Sequence, residues 1–263
     1  MSTSSAFAAK GALLAVFCAA FAVTGAAQRG AVARVTRAIK DVKILDGQAQ
    51  WAATPNLALP RGAVVRTADS SRAELVVGDR FVTRLAANTF LSLGRNDVAL
   101  NQGAILFEAP AGARNAKVQV GDITVDVAGT TGMIERYGRT YAKILLLQGK
   151  ARVYVSGKVG ESVLVDQGQI LITKPGAKSL PEPVDFNIAQ LYETSVLTNA
   201  DFAALASKPL IDRAIDAQRK NPGLNPTNLV IYGRGTLVNL VEPAGVDGPP
   251  EVSPTPRPKR SKR

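Results

Sequence analysis

The chain has 263 residues, 46% apolar but only 5% aromatic, so one or two domains must fill their core with Val, Ala, Leu and Ile rather than rings. There is no histidine and a single cysteine, Cys18, which excludes imidazole chemistry throughout and leaves no thiol nucleophile, disulfide or Cys/His zinc site beyond the first apolar run. The formal charge of +11 favours anionic partners. It is unevenly placed: Arg257, Lys259, Arg260, Lys262 and Arg263 stand against one acid, Glu251, in the last thirteen residues, a net +4.

The N-terminus comes first in chain order. Lys10 precedes an apolar run over residues 11–23, and Thr24, Gly25, Ala26 and Ala27 follow. A charge, about a dozen apolar residues and a small-residue site make a signal peptide over residues 1–27, cleaved after Ala27. The run falls short of the roughly 20 apolar residues that span a bilayer. Extended through Ala27, it also suits an uncleaved inner-membrane anchor, and that alternative stays open. Phe17 stands before Cys18, where a lipidation signal needs a small residue. The expected location is extracytoplasmic, in the periplasm or cell envelope.

Residues 28–174 read as one all-β domain. Ala33 to Ile39, Ile123 to Val127 and Ala151 to Val155 alternate with period two, as half-buried strands do. Leu145-Leu146-Leu147 and Ile170-Leu171-Ile172 do not alternate and read as strands buried on both faces. Asp46-Gly47, Gly78-Asp79, Gly121-Asp122 and Ser156-Gly157 mark turns between the runs. A weak repeat links Gly62-Ala63-Val64-Val65 to Gly103-Ala104-Ile105-Leu106, Val77-Gly78-Asp79 to Val120-Gly121-Asp122, and Ala87-Asn88-Thr89 to Ala128-Gly129-Thr130. A third, partial copy starts at Gly149. Such spacing suggests stacked units, so the predicted fold is mainly β, a solenoid-like roll or sandwich.

Residues 175–242 change texture. Beyond the linker prolines Pro181 and Pro183, Asp185 is the predicted cap of a helix carrying Ile188, Leu191, Tyr192, Val196 and Leu197. Asp201 caps a second, short helix over Phe202 to Ala206. Pro209 opens a third that stops before Pro222-Gly223. Two strands flanking Gly233-Arg234-Gly235 form a predicted hairpin. Residues 243–263 are Pro-rich, then basic, and read as a disordered tail.

The region from Val32 to Thr173 resembles the FecR domain family. Leu59-Pro60-Arg61-Gly62 resembles its "G-x-x-V" entry, and Val65 through Leu75 its "V-x-T-x-x-x-S-x-A-x-L" segment. Asn101 to Phe107 is similar to the second glycine step, and Ala128-Gly129-Thr130 with Met133-Ile134 to "G-T-x-F-x-V". Leu147 to Val153 resembles "E-G-x-V-x-V", and Asp166-Gln167-Gly168-Gln169 the closing "x-G-Q". The chain departs from the pattern at Gln148, where an acid is usual, and at the extra Thr131-Gly132. The resemblance implies an extracytoplasmic β domain related to anti-sigma regulators of iron transport. Those carry a sigma-binding segment before a membrane helix, and the ten residues before the apolar run here are too few to fold as one.

Candidate sites are sparse. Each Gly-Asp pair offers one carboxylate where calcium needs six to eight oxygens, so these pairs read as turns. Gly129-Thr130-Thr131-Gly132 lacks the Lys and the helix of a phosphate loop and reads as a tight turn or bulge. Ser207-Lys208 and Ser156-Gly157-Lys158 lack the Ser-x-x-Lys opening of serine–lysine hydrolases. A carboxylate-dependent envelope enzyme would have to use Asp126 and Glu135, which nothing pairs. The expectation is therefore an exported, non-enzymatic FecR-domain protein without cofactor or metal, a binding or scaffold module of the envelope. The alternative is an extracytoplasmic sensor of the iron-transport type without its own sigma-binding domain. Its expected partner is an envelope protein or an anionic envelope polymer or lipid, with no nucleic acid. The candidate anion-binding residues are Arg257, Lys259, Arg260, Lys262 and Arg263, and membrane contact would come through that tail or an uncleaved N-terminal segment.

Overall fold

The computed structural model describes residues 30–113, 116–174 and 176–221. Its strands follow one another closely: β1 (Ala31–Ile39), β2 (Val42–Asp46), β3 (Ala49–Ala52), β4 (Ala58–Pro60), β5 (Val64–Thr67) and β6 (Arg72–Val77). Next come β7 (Phe81–Leu85), β8 (Phe90–Leu93), the long β9 (Asp97–Ala109), β10 (Lys117–Val120), β11 (Ile123–Asp126) and β12 (Thr130–Tyr137). The last are β13 (Tyr141–Gln148), β14 (Lys150–Val155), β15 (Val163–Asp166), β16 (Gln169–Thr173) and β17 (Val184–Asp185), then helices α1 (Ile188–Thr194) and α2 (Lys208–Arg219).

All seventeen described strands join one continuous open sheet that folds over into two layers. The first layer runs β4-β1-β6-β7-β9-β12-β13-β16-β17. The second runs β3-β2-β5-β8-β9-β10-β11-β14-β15. Strand β9 belongs to both: Val98 to Gln102 pair with β8, and Gly103 to Ala109 with β12. Neighbours are antiparallel except β9 and β10.

The core between the layers is aliphatic, as the composition requires. Val35, Leu75, Ile105, Ile134, Ile144 and Leu171 of the first layer meet Ile44, Val65, Leu91, Leu100, Val125 and Val153 of the second. Each fully buried Val, Leu or Ile contributes about 1.5–3 kcal/mol. A second apolar cluster lies on the outer face of the first layer. There Leu106, Met133, Leu145, Leu147 and Ile170 pack against Phe186, Ile188, Leu191, Leu197, Phe202, Leu205, Ile211 and Ala214. This explains the strands that do not alternate. Within Leu145-Leu146-Leu147 the middle residue faces the sandwich core and its neighbours face the helical segment. The same switch is visible inside β9, which alternates over its first half and is continuously buried over its second. Ile172 is the exception to the expected burial of β16, at 40% exposed.

The glycine steps are corners. Nine passages between layers each carry a residue with positive φ: Lys40, Asn56, Gly62, Ser70, Asn88, Gly103, Gly129, Gly149 and Gly168. At Gly103 (φ 88°) a Cβ would also stand 2.6 Å from Thr89 Cα, and at Gly149 (φ 86°) 2.5 Å from the Gly129 carbonyl oxygen. Only glycine fits both the torsion and the space. The weak repeat is thus an echo of corners and not of stacked units. Gly62 and Gly149 lead from the first layer to the second, whereas Gly103 leads back.

The helical segment differs from its reading in sequence. Asn187, not Asp185, caps α1, its Oδ1 accepting from the Gln190 N–H at 3.0 Å. Asp185 is drawn into β17 opposite Gln169. Residues 202–206 are not helical, and Asp201 instead pairs with Arg72 at 2.6 Å. Pro209 does sit in the first turn of α2, where its missing N–H costs nothing. The signal segment, the hairpin around Gly233-Arg234-Gly235 and the basic tail lie outside the described residues.

Candidate functional site

Asp126 and Glu135 do not come together. Asp126 lies on the outer face of the second layer, 3.4 Å from Lys117 Nζ and accepting from the Tyr154 hydroxyl at 3.4 Å. The Tyr154 hydroxyl, then Asp126, raises the Lys117 pKa. Glu135 lies in the first layer on β12. The two carboxylates each have a lysine and do not form an acid–base couple. The Gly-Asp pairs are hairpin turns, and the Asp122 carboxylate accepts from the Gly176 N–H at 2.9 Å. Among the described residues no three His, Cys, Asp or Glu side chains gather as a metal site. Gly129 is a corner, and β12 shifts register between Thr131 and Gly132, the expected bulge. Ser207 is spent on structure: its hydroxyl accepts from Thr131 Oγ1 at 2.8 Å, and the neighbouring Lys208 pairs with Asp212 at 2.7 Å. The tail cations Arg257, Lys259, Arg260, Lys262 and Arg263 lie outside the described residues.

The residues that carry geometry are ones the sequence did not single out. They sit on the outer face of the first layer, beneath the segment after Pro183. Arg84 on β7, 2% exposed, pairs through Nε with Glu74 on β6 at 2.8 Å. Its Nη1 donates to the Leu197 carbonyl at 2.8 Å, its Nη2 donates to that of Ala203 at 2.5 Å, and its guanidinium lies 4.8 Å from the Phe202 ring centre. Glu108 on β9 accepts from the Ser207 N–H at 2.5 Å. One planar fork thus holds a carboxylate, two carbonyls and a ring, a task suited to arginine. The sequence signal was limited to charges inside alternating strands. That these charges are buried depends on a segment more than a hundred residues downstream.

Farther along the same face, Glu135 and Lys143 stand opposite each other on β12 and β13, at 1% and 4% exposure. Their charged atoms are 3.7 Å apart, a loose pair. Burial raises the Glu135 pKa to about 8 against the opposing pull of Lys143, and burial lowers that of Lys143. Tyr141 lies beneath the lysine, 4.7 Å from Nζ to ring centre, and stacks on Tyr137 at 5.5 Å. The Tyr141 hydroxyl has no hydrogen-bond partner among the described residues, and burial followed by the Glu135 charge raises its pKa. This cluster has the marks of a buried carboxyl–lysine pair: two desolvated groups held in register across neighbouring strands.

The described residues form a two-layer, mainly antiparallel β module with helices on one outer face. Residues 63–152 match the family model of the FecR protein, the same stretch whose glycine steps resemble that domain in sequence. No curated protein matches the chain. Two crystal structures of a candidate anti-sigma factor from Parabacteroides distasonis ATCC 8503 are similar to it. One has 12% identity and a TM-score of 0.40 over 46% of this chain and 59% of that one. The other has 11% identity and a TM-score of 0.42 over 50% and 64%. The chain thus spans about three fifths of those proteins. No helix among the described residues is long and apolar enough to cross a membrane.

Proposed function

We propose that this chain is an exported, non-enzymatic binding module of the cell envelope, acting in regulation rather than catalysis. The observation that carries this reading is the FecR match over residues 63–152. The matched stretch forms the middle of both layers, and its polar residues Arg72, Arg84, Glu108 and Thr131 hold the segment after Pro183 in place. These four groups are thereby engaged in architecture, which supports a role for the remaining exposed surface in binding. The partner is an envelope protein or an anionic polymer or lipid, with the tail cations adding salt-sensitive attraction.

Fractionation of the tagged full chain and mass spectrometry of its N-terminus test the location. A mature chain beginning at Gln28 in the envelope is the expected result, and a cytosolic chain retaining Met1 overturns it. In-cell crosslinking from exposed positions on the outer face of the second layer, such as Gln119 and Arg152, tests the binding role. One discrete adduct is expected; none at any exposed position argues against a binding module. The family match also favours a sensor of iron-transport signalling. Deletion of the gene would then change transcription of iron-uptake genes, an effect a passive scaffold does not have.

A further inference from the structure

We infer that the end of the sandwich where β1 begins is a binding site for a phosphate-type oxyanion, built on Arg61 and Arg95. An open cleft of about 700 Å³ lies there between the β4–β5 corner, the β6–β7 turn and the β8–β9 turn. Arg61, Arg95 and Asn96 line it, over a floor of Gly30, Gly62 and Gly78. No acidic side chain lines it. Asp97 follows Asn96 but is folded onto its own turn, its Oδ2 2.8 Å from where a Gly94 Cβ would stand. Asp79 and Arg80 follow Gly78 outside the lining and offset each other in charge.

Three features make this a site for an anion. First, Arg61 and Arg95 have no ion pair, hydrogen bond or ring contact among the described residues, whereas Arg84 and Arg72 are tied up in theirs. Two exposed guanidinium groups lining one cleft offer a shared oxyanion charge-assisted, bidentate bonds. Second, the floor is glycine with positive φ at Gly62 and Gly78, and a Cβ at Gly62 would meet nothing within 4 Å, so the space above it is open. The Gly62 and Gly78 amides are already used, donating to Leu93 and Val32 carbonyls at 2.8 Å. Recognition therefore falls to the side chains, with the Asn96 amide as the neutral third donor. Third, the cleft lies at Gly30, three residues beyond the apolar segment that ends at Ala27. Three residues of chain span at most about 11 Å. If that segment stays in the bilayer, the arginines stand at the depth of lipid phosphates; if it is cleaved, the same groups take a soluble phosphate.

The test uses the full chain with its tail in every variant. Calorimetric titration with inorganic phosphate and flotation with phosphatidylglycerol or phosphatidylcholine vesicles are run on the wild type, on Arg61→Ala/Arg95→Ala, and on a charge-matched control, Arg139→Ala/Arg213→Ala. The control removes two other exposed arginines, in the β12–β13 turn and on α2. The expected result is an affinity about tenfold or more weaker for the cleft variant, since hydrogen bonds to charged groups are worth that much. The control keeps wild-type affinity, and all three share one melting temperature. A loss confined to phosphatidylglycerol identifies lipid as the source, and a loss seen with inorganic phosphate identifies the free anion. Equal binding by wild type and cleft variant with both probes overturns the site, and so does an equal loss in the control.

Discussion

Glu135 and Lys143 show what a single pair of residues does to the molecule. Both are nearly fully buried, and burial holds the glutamate's pKa about 8 in the folded chain against 4.5 without it. Between those values the folded chain binds more protons than the unfolded chain. Stability is therefore fully present below about pH 4.5 and is lost as pH rises through about 8. Because the pair titrates together, the slope belongs to both groups. Urea denaturation from pH 5 to 8.5 should show the midpoint falling with pH, and Glu135→Gln should flatten that slope. A slope unchanged by the substitution would place the titrating group elsewhere. Above about pH 8, where Glu135 carries its charge, removing either partner alone leaves an uncompensated buried charge at a cost of about 3–5 kcal/mol, whereas Glu135→Leu with Lys143→Met should recover most of the loss. The double-mutant cycle then reports a coupling energy that two independent sites would lack.

The elements are joined by corners and by one arginine, and each joint makes its own prediction. Gly103→Ala puts a side chain at φ 88° and against the backbone of Thr89. The torsion and the clash together should cost about 3 kcal/mol or more, read as a fall in the denaturation midpoint. Gly47→Ala, with a φ of 59° but nothing within 4 Å, should cost about 1 kcal/mol. Arg84→Ala acts differently. It leaves Glu74 without its cation, with only the Thr36 hydroxyl still donating to the carboxylate, and frees the Leu197 and Ala203 carbonyls. Amide exchange over residues 187–219 should accelerate while that of β12 and β13 stays slow. Uniform acceleration would mean that sheet and segment open as one unit. These joints were unequally legible. Gly103 and Gly149 stood out in sequence because a torsional requirement is local and restricts the residue type. Arg84 did not, because an arginine in an alternating strand has the same local pattern whether it faces water or a segment 113 residues away. The cap at Asn187 was missed for a similar reason: Asp185 is an equally good capping residue, and only the pairing of β17 with β16 takes it out of reach.

At the scale of the molecule, the question is where the folding unit ends. The family match stops at residue 152, and the β pattern in the sequence ends near Thr173. The outer face of the first layer, however, carries a second apolar cluster of its own, and its cover comes from later residues. Ala86, Ala104, Leu106, Met133, Leu145, Leu147 and Ile170 are all fully buried, and their cover comes from residues 186–214. A chain ending at residue 174 would expose this face as a contiguous patch. Monomeric soluble proteins rarely tolerate apolar patches beyond a few hundred Å². It would also leave the charged groups of Arg84 and Glu108 without their carbonyl and amide partners, and strand β16 as a bare edge beside the patch. A fragment of residues 30–174 is therefore expected to keep the far-ultraviolet signature of strands but to bind hydrophobic dyes and self-associate. A fragment of residues 30–221 should remain monomeric, bind no dye and unfold in one cooperative transition. Sedimentation and dye binding on the two fragments decide the point. A soluble, monomeric, cooperatively unfolding 30–174 would show that the β layers are sufficient and the helical segment is an accessory. Aggregation of that fragment, rescued by adding back residues 175–221, would show that the segment is an integral third layer of the fold.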